Sequence, residues 1–250
     1  MKKTIALITA LFMIFSMAVC QASEDYDSYM KISVTGNWHI LNRDTQNDEL
    51  LDAIGMSADD VNEILENTGS QSIIINSQTG AEVYVKVSQN DKTFDLWNLS
   101  ETDDAYITEN MNTILYDGFS MSGLDYKSEN TKITTDNPYM KQLVVWGSTF
   151  YEDKAHGVVV SGTVVNGKAL VFMMLTETHQ PTEEEIAAVQ EVTQGVEFTK
   201  IKDKADAHKE DKSEPSGSVF QYILGGFGAL VLVIFCIFMI EKMKNKDRVE

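Results

Sequence analysis

Three groups of carboxylates are close enough in sequence to hold a hard cation through oxygen. They are Asp59-Asp60, Glu101 with Asp103-Asp104, and Glu183-Glu184-Glu185. Each also stands where a helix is expected to begin. There, acids answer the unpaired backbone N–H groups and the positive end of the helix dipole without any metal. No Asp-x-Asp-x-Asp-Gly loop accompanies them. The four histidines, His39, His156, His179 and His208, show no His-x-x-x-His spacing, and a zinc site needs at least three nitrogen or sulfur ligands. His156 before Gly157 and His179 before Pro181 read as exposed turn residues. There is no Gly-x-Ser-x-Gly nucleophile motif and no phosphate loop. These residues assign no catalytic role, cofactor or metal.

The aromatic residues offer a different chemistry. Trp38, Trp97 and Trp146 could line a binding surface, because aromatic side chains concentrate binding energy. Trp146 lies in the apolar run Leu143-Val144-Val145-Trp146 and reads as core. Phe94 and Trp97, in Phe94-Asp95-Leu96-Trp97, form an apolar cluster expected outside regular structure. They are the candidate partner surface, with core packing of that loop as the competing reading.

The ends of the chain place these residues in a compartment. Residues 1–22 have the form of a secretory signal: Lys2-Lys3, a 16-residue uncharged run from Thr4 to Val19, and small residues at the cleavage position before Ser23. The run spans only about 24 Å as a helix, short of a bilayer core of about 30 Å. Retention as a membrane helix and lipidation at Cys20 are the alternatives. Val219 to Ile240 is 22 residues without a charge, long enough to span, and residues 241–250 that follow carry four basic side chains. Together they predict a single-pass protein in the cell membrane, with residues 23–218 outside and the C-terminus in the cytoplasm. Gly225 and Ala229 form a small-x-x-x-small pair, a candidate helix-docking face.

Both cysteines, Cys20 and Cys236, fall in these apolar ends, so no disulfide is available between them. Arginine occurs at only two positions against 18 lysines. This usage leans toward a bacterial envelope protein. The Asn98-Leu99-Ser100 sequon would matter only in a eukaryotic source. Residues 200–218 hold five lysines, five acids and one large apolar residue, Ile201, and read as a charged linker. Residues 23–199 hold 30 acids against 9 bases, a net of −21 within −18 for the whole chain. Such a domain repels nucleic acid and anionic headgroups, and an electrostatically steered partner would be cationic.

Hydrophobic periodicity supplies the elements that position these residues. Short strands are expected at Met30–Val34 and Trp38–Leu41 as a pair about Gly36-Asn37. A Ser57-capped helix follows, ending at Gly69, and then a hairpin of 73–76 with 82–87. A helix over 102–116 carries the stripe Ile107, Met111, Ile114, Leu115. Strands at 126–134, 142–151, 158–165 and 168–177 follow, the last two joined by Asn166-Gly167. A Thr182/Glu185-capped helix and a short strand at 196–198 close the domain.

This α+β order, an antiparallel sheet flanked by helices, resembles the PsbP-like fold. The residues that carry the resemblance are Gly36-Asn37-Trp38 in the opening strand, the antiparallel run Gln142 to Glu177 and the closing Thr182 to Phe198 unit. A Pro usual before the opening Trp is absent here. The resemblance implies a non-enzymatic accessory or binding domain with a protein partner outside the membrane. A metal-dependent envelope hydrolase and a small surface-structural protein are the alternatives. A reporter that works only outside the cytoplasm will be active when fused after Lys204 and silent after Glu250. N-terminal sequencing of the mature protein will begin at Ser23.

Overall fold

The computed structural model describes residues 22–204, apart from 28, 46–49, 53–54, 122, 152–153 and 177–178. The residues that decide the architecture lie in two adjacent strands, β8 (Lys154–Val165) and β9 (Lys168–Leu175). Val158, Val159 and Val160 are all buried, as are Leu170, Val171 and Phe172. A strand whose consecutive side chains are apolar must be covered on both faces, since successive residues point to opposite sides.

The covered sheet has seven antiparallel strands in the order β3-β4-β5-β9-β8-β7-β6. The others are β3 (Trp38–Asn42), β4 (Ser72–Asn76), β5 (Glu82–Ser88), β6 (Asp125–Thr134) and β7 (Gln142–Tyr151). Asn166 and Gly167 turn β8 into β9 with positive φ at both residues, 52° and 76°, as a two-residue hairpin requires. At the β6 edge the pairing with β7 breaks register between Tyr126 and Thr131, and Lys127, Ser128 and Glu129 there are exposed.

One face of the sheet is covered by a small sheet and a helix. β1 (Ala22–Asp27), β2 (Met30–Val34) and β10 (Val196–Phe198) form a three-stranded sheet in the order β1-β2-β10. Met30, Ile32, Val196 and Phe198 join Val159, Phe172 and Met174 in one core with Val189 and Val192 of α5 (Glu183–Gln194). Trp38 is buried in that core, and Trp146 packs partly buried against it. The other face carries two clusters. α1 (Ala58–Thr68) sets Val61 and Leu65 on Leu41, Ile73 and Ile75. Further along, Ile107, Met111, Ile114, Leu115 and Phe119 cover Leu143, Val145, Val158 and Val160.

Several expectations are met in detail. Ser57 and Asp60 form a reciprocal capping box on α1, Gly69 ends it in the left-handed conformation, and Thr182 with Glu185 caps α5 in the same way. Others need correction. The strands flanking Gly36 do not pair: β2 joins the small sheet and β3 the large one, so Gly36-Asn37 is a crossover between layers. A strand not expected from the sequence, β1, pairs with β2 from Ala22↔Val34 onward. The helix expected over 102–116 is broken. It forms α3 (Asp104–Glu109), α4 (Met111–Thr113) and a π-helical turn at Ile114–Gly118. Asn110 leaves helical geometry at φ −107°, ψ 17°, and its side-chain amide donates to Tyr106 O. The π turn, closed by Phe119 N–H donating to Ile114 O at 2.8 Å, keeps Ile114, Leu115 and Phe119 all buried.

Of the region read as a signal, residues 1–21 lie outside the described residues and Ala22 is in β1; the span Val219–Ile240 with Gly225 and Ala229 and the basic tail, within residues 205–250, also lie outside them. Among the described residues, no helix is long and apolar enough to cross a membrane.

The junction of α5 with β2 leaves no room for a side chain. A Cβ on Gly195 would lie 1.8 Å from Ser33 O, where Gly195 O accepts the Ser33 N–H at 2.9 Å. Gly195→Ala will therefore destabilise the fold by about 3 kcal/mol or more, since backbone must move. Gly36→Ala meets no atom within 4 Å and faces only the positive φ of 71°, a cost of about 1 kcal/mol. Urea unfolding midpoints of the two variants will rank in that order.

Candidate functional site

A short helix absent from the sequence reading organises the site. α2 (Asp91–Leu96) begins at Asn90, whose side chain accepts from Thr93 N–H while Thr93 Oγ1 accepts from Asn90 N–H. Asparagine with threonine three residues on is a polar capping pair of the Ser/Thr–Glu kind, and that was its available signal. The same Asn90 amide donates to Asp117 O and Gly118 O, both at 3.0 Å, so it ties the start of α2 to the π turn.

Between α2 and α3 lies a cleft of about 540 Å³. Lys92, Asp95 and Leu96 line one wall; Asp103, Tyr106 and Ile114 line the other. The Tyr106 residue is 51% exposed. The α3 wall is fixed to the sheet by Lys141, whose ammonium donates to Thr102 O at 2.6 Å and to Asp104 Oδ1 at 2.7 Å. Asp103 caps α3 by accepting from Ala105 N–H at 2.7 Å. The cleft can hold a side chain or short segment carrying positive charge, with an aromatic face at its mouth.

At the C-terminal end of α2, Trp97 takes φ 60° and ψ −68°. The Asn98 N–H donates to Leu96 O at 2.8 Å, which makes Trp97 the centre of a γ-turn of the rare positive-φ kind. Its surroundings hold it there. Gly167 N–H donates to Trp97 O at 2.8 Å, and a Cβ on Gly167 would come within 3.0 Å of the indole. Asn98, fully buried, accepts from Asn166 N–H at 2.9 Å. A buried Asn98 leaves no room for a glycan at the sequon. Phe94 and Trp97 meet edge to face at 5.4 Å between centroids.

The candidate surface residues thus part company. Trp97 is only 6% exposed, whereas Phe94 is half-buried with Lys204 Nζ 5.6 Å from its ring centroid. Both belong to α2 and its C-terminal turn rather than to irregular chain. That lysine also corrects the boundary drawn at Lys200. Lys200, Lys202 and Lys204 are all bonded to the domain, so the first five residues read as linker lie on it.

The carboxylate groups are engaged in helix starts. Asp60 accepts from Ser57 N–H at 2.8 Å, Glu101 accepts from Asn98 Nδ2 at 2.8 Å, and Glu185 accepts from Thr182 N–H at 2.8 Å. Among the described residues, no three His, Cys, Asp or Glu side chains converge. His156 is in strand β8 rather than a turn, with Nδ1 3.3 Å from Thr176 O. His39, with Nε2 3.2 Å from Ser77 Oγ, has its pKa lowered by burial. His179 lies 2.9 Å from Glu185.

No protein-family model matches this sequence, and none of the curated proteins matches it. Solved structures do show likeness. One is the solution structure of cyanobacterial PsbP (CyanoP) from Synechocystis sp. PCC 6803, with a TM-score of 0.38 and 9% identity over 73% of this chain and 95% of that one. Another is a crystal structure from Bacteroides thetaiotaomicron VPI-5482, with a TM-score of 0.36 and 9% identity over 69% of this chain. The match spans 46% of that Bacteroides chain. Likeness at this level bears on neither activity nor partner.

The Glu185 cap has a pH signature. Burial pushes its carboxyl up, but bonds from Thr182 and His179 outweigh this and hold the pKa below the ordinary value. A depressed carboxylate pKa stabilises the fold above the unfolded value, near 4.5, and that contribution is lost as pH falls through the folded one. Glu185→Gln will lower stability at pH 7 by up to about 1 kcal/mol, and the difference will shrink by about pH 3. Paired urea melts at the two pH values measure it.

Proposed function

We propose that this chain is a membrane-anchored, extracytoplasmic binding domain without catalytic activity of its own. Its partner is a protein that presents a cationic segment to the cleft between α2 and α3. The observation that carries this reading is the cleft lining, where Asp95 and Asp103, against the single lysine Lys92, face a volume of about 540 Å³ beside the half-exposed Tyr106. The net −21 of residues 23–199 steers cations toward any such opening. Lys141 and Asn90 hold the two walls in place, so little ordering is needed on binding. The anchor rests on the uncharged stretch Val219–Ile240 and the basic residues that follow it.

A fluorescent Lys- and Arg-rich peptide added to the detergent-solubilised chain tests the cleft. Asp95→Asn with Asp103→Asn will weaken its binding about tenfold or more, and Asn at position 103 still caps α3. Glu183→Gln with Glu184→Gln removes the same charge from exposed positions on α5 and will change binding about twofold at most. Equal effects of the two pairs would show bulk attraction only and overturn the cleft reading.

A further inference from the structure

The segment leaving the domain sits in a clamp made by three side chains. Asn166 Nδ2 donates to Lys200 O at 3.0 Å, and Asn166 Oδ1 accepts from Lys202 N–H at 2.7 Å. Lys202 O accepts from Trp97 Nε1 at 2.7 Å and from Asn98 Nδ2 at 3.1 Å. Lys204 Nζ then donates to Asp95 O at 2.8 Å and lies over the Phe94 ring. One amide bonding residues i and i+2 imitates a neighbouring strand. It reads backbone rather than sequence, and the ring and carbonyl beyond it read a lysine.

Two features distinguish this clamp from ordinary core packing. The held segment adds little apolar burial, since Ile201 is 44% exposed. Polar bonds therefore hold it, and a segment held so belongs to the easily opened part of a fold. The clamp itself, by contrast, is rigid and strained. Trp97 is fixed at φ 60°, ψ −68° by the β8–β9 turn, and residues kept in such geometry cluster at ligand clamps.

We propose that Trp97, Asn98 and Asn166 form a binding site for an extended peptide backbone that carries a lysine two residues beyond its clamped carbonyl, and that the chain's own Lys200–Lys204 fills it as a releasable strap. With the strap in place the indole N–H and both asparagine amides are bonded. With it gone they face the opening, ready for a peptide of the same chemistry, and five more residues join the segment that follows. This site shares only Asp95 with the cleft, through its backbone carbonyl, and requires neither a cationic cleft partner nor a membrane.

Hydrogen–deuterium exchange on the full chain in detergent micelles is the first test. The Lys202 amide will exchange about 100-fold or more faster than those of Val159 and Val171 in the sheet. Asn166→Gly, which keeps a turn-competent pair with Gly167, will speed it a further tenfold or so and leave the sheet amides unchanged. A Lys202 amide as protected as the sheet would make the strap part of the global fold and overturn the proposal. Next, Lys200–Lys204 is replaced by glycine and serine in the full chain, and the labelled peptide Thr-Lys-Ile-Lys-Asp-Lys is added. It will bind saturably, and Asn166→Gly in that chain will abolish the binding. Absence of binding to a strap-replaced chain whose sheet amides stay protected would also overturn it.

Discussion

Two adjacent strands, β8 and β9, are apolar on both sides, and most of the architecture answers that condition. Val159 and Phe172 face one layer, Val160 and Val171 the other, and none of these four can face water. The side bearing Val159 is closed by β1-β2-β10 and α5. The opposite side is closed by α1 toward the β3 end and by the α3–π-turn segment toward the β7 end. Gly162 shows how close this second layer comes, since a Cβ there would meet the Phe119 ring at 2.3 Å. The site residues are thus held by a layer that exists chiefly to keep water from the sheet.

Local chemistry explains what could be read from the sequence. Ser57 with Asp60, Thr182 with Glu185, and Asn166-Gly167 each settle a boundary by bonds made within a few residues, and all three are present. β5 follows from alternation, and β4, β7, β8 and β9 from short apolar runs bounded by turn residues, in the same way. What escaped was decided at long range. Nothing near Gly36 says that β2 pairs with β1 and β10 while β3 pairs with β4. Lys200–Lys204 has the composition of a linker, yet its carbonyls and one N–H find Trp97, Asn98 and Asn166 far away in sequence. Asn90 and Thr93 did carry a local signal for α2, but the helix is too short for a periodic stripe. The site was half visible: Phe94, Trp97 and Asp103 stood out by type, whereas the cleft that Asp103 lines with Asp95 and Tyr106 exists only through the placement of α2 beside α3.

The acidic balance is distributed rather than gathered. Asp60, Asp103 and Glu185 each serve a helix start, where the N–H groups and dipole offset part of the repulsion locally. Lys141, only 15% exposed at its side chain, spends its charge on Thr102 O and Asp104 and so joins sheet to helix. Cations are scarce enough that where one is placed matters more than how many pairs it makes.

The broken register of β6 has a consequence for crowded conditions. A free sheet edge offers a row of backbone donors and acceptors on which another chain can grow a strand. Here the edge strand departs from its partner between Tyr126 and Thr131 and shows Lys127, Glu129 and Lys132 to solvent. An incoming strand would find an irregular row and would have to bury those charges. Copies packed at high local density are thereby kept from joining edge to edge into continuous sheets, a protection against aggregation written into one irregular strand.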